Sequence, residues 1–351
     1  MLVPVSRHDR YYATSHVSSD ACTHGQGLSG GWQHRYEQLE RGSFLGEIEE
    51  AWLGPLQLLF EKISRPIKYE GRAWSGARIF FSCAAGQHGM HWDTRLVQDD
   101  QLTTFRWNAI ERVTCSQPSE SALVLVDDDY LSHLAEQARV DISRTSSEQT
   151  FERSSDRQIA HRFQTVVVDI LRTVNADASV LKSETCRASM RDQVLDVLLC
   201  ALAGMAQTGD ARLPPPCTRA YIVNRAIEFI DSRLADSVSM ADICSAVRVC
   251  PRTLCYSFEA VLGMSPRRYL LTTRLNRVRS DILALGGSVP LQTLATRRGL
   301  WHMGRFSRYY RETFGERPSD TVRRASAPVR KSLRTCAQMW ALDLPVGVAQ
   351  A

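Results

Sequence analysis

The stretch FEAVLGMSP at residues 258–266 recurs in pattern as YRETFGERP at residues 310–318. In each copy an aromatic residue is followed five positions later by glycine and three positions after that by proline, and the two copies stand 52 residues apart. A short amphipathic segment and a turn precede each copy, and a helix, a turn and a second helix form a helix-turn-helix. The repeat therefore predicts two helix-turn-helix units in the last third of the chain.

Capping and breaking residues divide residues 218–324 into seven predicted helices. Ser239 and Asp242 have the spacing of a capping box, and proline suits the first turn of a helix because an N–H there has no partner within the helix. The helices are predicted to begin at Thr218, Ser239, Pro251, Pro266, Pro290, His302 and Pro318. The longest runs to Leu285 and ends at two glycines. This part of the chain is predicted to be all α.

The charges of the chain are divided along its length. Residues 1–216 carry 22 Lys and Arg against 28 Asp and Glu, whereas residues 217–324 carry 18 Arg and no Lys against 9 acids. One interpretation of the excess arginine is a basic face that contacts only solvent. The imbalance favours phosphate contact, and it predicts that only the C-terminal part meets a polyanion.

The first part of the chain has a different pattern. Short apolar runs recur between turn signals, which is typical of antiparallel strands in a barrel or sandwich, and helical periodicity follows them. The predicted strands are Leu56–Phe60, Ala77–Cys83, Leu102–Trp107 and Leu123–Val126, and the predicted helices are Asp129–Val140, Gln158–Val174 and Met190–Met205. The apolar stripe of the last helix is either core or a dimerisation face, and its periodicity favours core. Trp74, Phe80, Phe81, Trp92 and Trp107 either line a pocket or belong to the core, which is favoured for most of them.

Together these patterns predict an α+β protein. Its N-terminal domain is β-rich, barrel- or sandwich-like, with helices, and its C-terminal domain is all α with two helix-turn-helix units. The predicted division is a flexible segment 1–30, a β-rich domain 31–207, a breaker-rich linker 208–217, a DNA-binding domain 218–324 and a tail 325–351; an effector-sensing or dimerisation role of residues 31–207 is only what the family resemblance of the C-terminal part implies.

Helical periodicity separates the inward and outward faces of the two recognition helices. Leu254, Phe258 and Val261 share the inner face of the first, which leaves Arg252, Cys255 and Tyr256 facing outward. In the second, Phe306, Tyr310 and Phe314 face inward, and Arg305 and Arg308 face outward beside Gly304. Arginine suits a guanine edge through paired hydrogen bonds, although phosphate contact is the alternative for each. Arg267 and Arg268, at the start of the long connecting helix, are predicted phosphate contacts.

The two units differ in their turns. The second has small Ala295 where its helices cross and Gly299 in the turn, whereas the first has Cys244 and Arg248 at the matching positions. A left-handed arginine costs about 1 kcal/mol, and Cys250 replaces the preferred N-cap serine. The first unit is therefore predicted to be the less ideal.

These residues resemble the DNA-binding domain of AraC/XylS-type transcription regulators over residues 218–324. The first half matches through Pro251–Leu254, Gly263–Leu270 and Arg274–Arg279, and the second through Gly299–Phe306 and Tyr309–Ser319. The resemblance implies that DNA is read by Arg252, Thr253, Cys255 and Tyr256 in the first helix and by Met303, Gly304, Arg305 and Arg308 in the second. Residues 299–302 and the spaced pattern from Trp32 to Glu47 resemble, in particular, the ethanolamine-utilisation regulators.

The resemblance implies a sequence-specific, effector-responsive activator that binds a double-stranded DNA operator. RNA polymerase, a small-molecule effector and a second copy of the chain are further candidate partners, and the effector-binding residues stay unassigned. The alternative is a constitutive repressor or architectural protein whose N-terminal domain only dimerises. A third possibility, an enzyme with a fused DNA-binding domain, is disfavoured because no HExxH, GxSxG or P-loop pattern occurs.

Weaker motifs predict no catalytic residues, cofactor or metal. The GxGxxG pattern at 25–30 lacks a preceding strand and is predicted to be a flexible loop. His88, His91 and Asp93 lack further metal ligands and are predicted to lie in a polar loop. Ten scattered cysteines without a CxxC pair, a polar N-terminus without a signal-peptide pattern, and no apolar run of membrane-spanning length predict a cytoplasmic protein without membrane contact.

Overall fold

The computed structural model describes residues 10–84, 90–97, 101–106, 111–140, 152–154, 156–208, 218–233 and 238–326. Its N-terminal part is built of antiparallel strands. They are β1 (Tyr11–Ser18), β2 (Gln33–Gln38), β3 (Gly46–Leu53), β4 (Leu56–Ile63), β5 (Ile67–Arg72), β6 (Ala77–Ala84), β7 (Met90–Trp92), β8 (Arg95–Val97), β9 (Leu102–Arg106), β10 (Glu111–Cys115), β11 (Ser119–Asp127) and β12 (Glu152–Ser154). The predicted strands correspond to β4, β6, β9 and β11; Trp107 and His88 lie outside the described residues.

The strands form two sheets that face each other. One has the order β1-β3-β4-β11-β6-β9-β12 and the other the order β2-β5-β10-β7-β8. Because side chains alternate along a strand, consecutive residues of the larger sheet point to opposite faces and pack in two different cores. Phe81 packs between the sheets with Trp74 and Trp92, whereas Phe80 points to the opposite face of the larger sheet. The predicted β-rich sandwich is thus present, and these four aromatic residues are buried in its cores.

Helices cover the outer face of the larger sheet. They are α2 (Asp128–Gln137), α3 (Arg157–Ala176) and α4 (Glu184–Thr208), close to the three predicted helices. The apolar stripe of α4 is core, because Val194, Leu195, Leu198 and Leu202 pack with α3 and the larger sheet. Within the described residues, no helix combines the length and apolar character of a membrane span.

Residues 10–30, the described part of the segment 1–30, differ from the expectation of a flexible segment. From residue 11 it forms β1, which pairs with β3 over eight residues, and then the short helix α1 (Ala21–His24). Gly25–Gly27 is a turn of 3₁₀ helix, and a Cβ at Gly25 would collide with His34. The glycines that suggested a flexible loop allow close packing instead. Strands β2 and β3 were also missed by the pattern of apolar runs.

The C-terminal part is helical throughout its described residues. Its helices are α5 (Thr218–Ser232), α6 (Met240–Val247), α7 (Pro251–Leu262), α8 (Pro266–Leu285), α9 (Leu291–Arg297), α10 (Met303–Phe314) and α11 (Pro318–Ser326). One core joins α5, α6 and α7 to the start of α8, and a second joins the end of α8 to α9, α10 and α11. The seven predicted helices are confirmed, and α8 is the element that both cores share.

Candidate nucleic-acid interface

The first helix-turn-helix consists of α6 and α7. The predicted capping box starts α6: the Asp242 N–H donates to Ser239 Oγ (3.2 Å), and the Ser239 N–H donates to Asp242 Oδ2 (2.8 Å). Arg248 ends the helix with φ 56° and ψ 42°, the left-handed conformation predicted for this turn. Because an L-residue with a Cβ is strained there, the first turn carries a backbone cost that glycine would avoid.

Replacing Arg248 with glycine should therefore stabilise the protein by about 1 kcal/mol. Thermal unfolding of the purified variant measures this as a higher melting temperature. Ala246→Gly is the matched control, because Ala246 is exposed in the last turn of α6, and glycine at a helical position should lower the melting temperature instead of raising it. A lower melting temperature for Arg248→Gly would mean that the arginine side chain contributes more than its backbone costs.

Helix α7 presents one apolar and one polar face. Leu254 and Phe258 are buried in the core, whereas the predicted DNA-contacting residues Arg252, Thr253, Cys255 and Tyr256 are all exposed. The Arg252 guanidinium lies 5.4 Å from the centre of the Tyr256 ring, and its Nη2 donates to the Tyr256 hydroxyl at 3.3 Å. These two side chains therefore form one exposed group on the outer face of the helix.

The N-terminus of α7 has an unusual cap. Cys250 occupies the N-cap position without a side-chain bond to a backbone N–H of the first turn, and its Sγ lies 3.2 Å from Thr253 Oγ1. The hydrogen bond with the Thr253 hydroxyl is the main cause that lowers the pKa of the Cys250 thiol. The sequence correctly predicted a weak cap at this helix.

The second helix-turn-helix consists of α9 and α10. Ala295 is fully buried at the crossing, and Gly299 has φ 72° in the turn. A Cβ on Gly299 would lie 3.1 Å from Cζ of Arg274 on α8. The left-handed backbone conformation therefore favours glycine here, and a Cβ would in addition displace the guanidinium end of the Arg274 side chain by a few tenths of an ångström.

Helix α10 has the same division of faces as α7. Phe306, Tyr310 and Phe314 are buried, and the predicted DNA-contacting residues Gly304, Arg305 and Arg308 are exposed beside half-buried Met303. The Arg308 guanidinium lies 5.1 Å from the Tyr309 ring centre, and its Nε lies 3.9 Å from Glu312 Oε1. Glu312 is closer to Arg41, whose Nη1 lies 2.9 Å from Glu312 Oε2, so the exposed Arg308 has only a weak ion pair on its own helix.

Three further residues complete the exposed surface. Arg267 and Arg268, the predicted phosphate contacts, are exposed at the start of α8. Trp301, in the turn before α10, is 66% exposed, and the sequence patterns assigned it no role. The sequence shows a tryptophan between the turn glycine and the recognition helix, and the structure shows that it is exposed. Large aromatic side chains are usually buried, so this exposure is unusual.

The N-terminal sandwich contacts this C-terminal part through the free edge of β2. The Gln38 N–H donates to Asn276 Oδ1 (3.0 Å), and Asn276 Nδ2 donates to the Gln38 carbonyl (2.8 Å). At Gln38 the Asn276 side chain on α8 thereby takes the place of a neighbouring strand. It satisfies the backbone N–H and C=O of this one edge residue. Asn276 and Gln38 are both buried.

The loop after β2 reaches both helix-turn-helix units. Leu39 is buried in the core of α5, α6 and α7. The Thr313 carbonyl near the end of α10 accepts hydrogen bonds from the Gln38 side-chain amide (3.0 Å) and the Gly42 N–H (3.1 Å). Carbonyls in the last turn of a helix have no partner within the helix, so this loop supplies their donors.

Arg279 is the buried charge of the second unit. It is 3% exposed on α8, and it donates to Asp20 Oδ2 (2.9 Å), to Glu316 Oε1 (2.7 Å) and to the Tyr310 hydroxyl (3.1 Å). Burial alone lowers the pKa of the guanidinium, but Asp20, Tyr310 and Glu316 raise it above its ordinary value. In the sequence Arg279 stood out only as part of a motif, and Asp20 had no predicted role.

Residues 243–324 match a protein family described as a helix-turn-helix domain. Over 101 residues the chain is 36% identical to XylDLEGF operon transcriptional activator 3 of Pseudomonas putida, an alignment that covers 28% of this chain and 30% of that relative. It is 34% identical over 99 residues to transcriptional activator RhrA of Rhizobium meliloti (strain 1021), covering 28% and 31% respectively. Among solved structures, the AraC-like transcriptional activator CuxR is 13% identical, with a TM-score of 0.38, and the match covers 81% of this chain and all of that one.

The aligned part of the chain thus spans only about 30% of the length of these two relatives. The family match over residues 243–324 runs from within α6 into α11, and it therefore includes both turns and both recognition helices. Residues 243–324 of this chain are accordingly a helix-turn-helix domain.

Proposed function

We propose that this protein is a sequence-specific DNA-binding transcription regulator of the AraC/XylS type. The observation that carries the proposal is a pair of helix-turn-helix units on one chain, each with an arginine-bearing, exposed face on its second helix. The proposed base-reading residues are those named above on α7 and α10, and Arg267 and Arg268 are the proposed phosphate contacts. Arginine serves both purposes because its planar group bonds guanine edges and phosphates alike.

The connecting helix supports a specific mode of binding. Helix α8 has 20 residues, which at about 1.5 Å per residue gives a length of about 30 Å. Successive major grooves on one face of B-DNA lie about 34 Å apart. We infer that α8 holds α7 and α10 at a spacing that lets them enter two neighbouring grooves.

The N-terminal sandwich is proposed to sense a small molecule, and activation is the proposed sign of regulation, with RNA polymerase and a second copy of the chain as candidate partners. The runner-up is a constitutive repressor or architectural protein. Thermal-shift screening of the full-length protein against small metabolites separates these two proposals, because a ligand that binds the folded state raises its stability.

The proposed nearest subgroup is the ethanolamine-utilisation regulators. This assignment rests on residues 299–302 and the pattern from Trp32 to Glu47. Residues 209–217 of the proposed linker 208–217 and residues 327–351 of the proposed tail lie outside the described residues.

Selection of binding sites from random duplexes by the full-length protein, followed by hydroxyl-radical footprinting, tests the proposal. We expect a recurrent sequence with two protected patches centred about 10 base pairs apart on one face. Arg172→Ala, which removes an exposed arginine from α3 of the sandwich, is the control and should leave the footprint unchanged. Enrichment of no sequence, or one protected patch only, would contradict the paired-groove mode.

A further inference from the structure

Trp301 is the most exposed large hydrophobic side chain of the described residues, with 66% of its surface open to solvent. It lies in the short connection between α9 and α10, two residues after the turn residue Gly299. Aromatic rings of this size usually supply much of the apolar surface of a core or an interface. An open ring at the start of a recognition helix therefore points to a partner outside the protein.

The backbone on both sides of Trp301 is fixed. The Leu300 N–H donates to the Ala295 carbonyl (2.9 Å) at the end of α9, and the Leu300 side chain packs against the core of the second unit. The His302 carbonyl accepts from the Phe306 N–H (2.8 Å), which starts α10. Because Leu300 already fills the core side of this connection, the ring of Trp301 is held on the solvent side before any partner binds.

Gly304, in the first turn of α10, is a glycine that the fold of the described residues does not require. Its backbone is not left-handed, and a Cβ added to it would meet no other part of the described protein within 4 Å. Glycine is less favourable than alanine at a helical position, because it loses more conformational freedom on folding. The missing side chain thus leaves bare helix surface at a cost in stability, which is expected where an external group approaches the backbone closely.

Trp301 and Gly304 adjoin the arginine-bearing face of α10. Counted from Trp301, residues 304, 305 and 308 lie three, four and seven positions further along, the spacing of side chains that share one side of a helix. All three are exposed, and no acidic residue lies in the first turn of α10. The ring therefore continues this face beyond the N-terminal end of the helix, next to the arginines proposed to read bases.

We propose that Trp301 and Gly304 form a seat for the DNA backbone at the edge of the major groove that α10 enters. A deoxyribose packs on the indole ring and the bare surface at Gly304, and the indole Nε1–H donates to the adjoining phosphate. Gly304 has no side chain with which to read a base, so its part in binding is the space that it leaves. The proposal rests on the proposed function, because that function supplies DNA as the occupant.

A methyl group at Gly304 tests the seat without removing a contact of the free protein. We expect Gly304→Ala to keep or raise the melting temperature, because alanine is the better helix former. Binding of the full-length protein to the selected duplex should weaken about tenfold or more, because the methyl group takes the space of the sugar. A variant that binds as tightly as the unmodified protein, or one that loses affinity together with melting temperature, would overturn the seat.

Gly204→Ala is the matched control for this substitution. Gly204 is also a helical glycine, but it lies on α4 of the sandwich, where an added Cβ would be in ordinary contact with Ile159 at 4.0 Å. This variant should leave the affinity for the selected duplex unchanged. An equal loss of affinity in both alanine variants would mean that the effect of Gly304→Ala does not arise at the DNA surface, and it would overturn the seat.

Truncation of Trp301 tests the other half of the seat. Trp301→Ala should weaken binding to the selected duplex about tenfold or more, with an unchanged slope of log affinity against log salt because no charge is removed. In a Gly304→Ala background, adding Trp301→Ala should change the affinity less than about twofold, because both substitutions remove the same contact. Independent, additive losses would overturn the shared seat.

Neutral methylphosphonates, placed one at a time along the patch that α10 protects, test the phosphate contact. One position should weaken binding of the unmodified protein but hardly affect Trp301→Phe, which keeps a ring and lacks the N–H donor. Equal effects on both proteins at every position would overturn this contact. An unmodified protein that binds no duplex would refute the proposed function and the seat together, whereas one that binds its selected duplex no better than the Trp301 and Gly304 variants do would overturn the seat alone.

Discussion

Replacing Arg279 with methionine is expected to lower the free energy of unfolding by about 3–5 kcal/mol. Methionine keeps most of the side-chain length but removes the guanidinium between Asp20 and Glu316. The buried Asp20 then keeps one of its two arginine partners, Arg324, whose side chain is 45% exposed, and the loss of the buried cation is costly. The unfolding midpoint in urea, followed by circular dichroism, measures the decrease.

Arg323→Met is the matched control for this prediction. Arg323 is 79% exposed and pairs only with Asp320 on the same helix among its described contacts, so its removal should cost below about 0.5 kcal/mol. If the two variants unfold at the same urea concentration, the Arg279 network contributes no more to stability than a surface ion pair.

Truncating Arg305 or Arg308 to alanine is expected to weaken binding to the selected duplex by about 5- to 150-fold, the change that corresponds to 1–3 kcal/mol for a paired hydrogen bond to a base. The same truncation should weaken binding to a scrambled duplex much less. At least one of the two arginines should show this difference, because both extend from the exposed face of α10. Arg308 Nε lies 3.9 Å from Glu312 Oε1, and this contact would break when the arginine bonds to a base.

Arg267→Ala and Arg268→Ala are the comparison for this prediction, because both residues lie outside the recognition helices. They should weaken binding to all sequences similarly and reduce the slope of log affinity against log salt by about one for each phosphate that the variant no longer neutralises. Titrations at several salt concentrations on both duplexes measure these effects. Equal weakening on the two duplexes for Arg305→Ala and Arg308→Ala would make α10 a clamp, and specificity would have to come from Arg252 and Tyr256.

Much of the helical part could be predicted because its signals are local. Caps, prolines and turn glycines fix where helices begin and end, and the spacing of Leu254, Phe258 and Val261 fixes which face of α7 is exposed. The left-handed Arg248 was predictable for the same reason, since its partner position in the repeat is glycine.

The first 30 residues were not predictable in this way. The partner of β1 is β3, and their paired residues are 28 to 42 positions apart in the chain. The hydrogen bonds that order β1 therefore come from a distant strand, and the composition of residues 11–18 does not reveal them. The contacts of Asp20 with Arg279 and of Gln38 with Asn276 join residues more than 230 positions apart, which periodicity does not report. The exposed residues of the candidate site could therefore be predicted from the sequence. The buried contacts behind them became visible only in the folded structure.

The burial of Leu39 in the core of the first helix-turn-helix bears on protein engineering. A chimera that moves residues 218–326 onto a different sensor domain would leave an unfilled gap where that leucine packs. The donors from Gln38 and Gly42 to the end of α10 would be missing as well. A transplant that carries residues 37–43 with the helical part, as a loop grafted onto the new sensor, should keep the two units in their native arrangement.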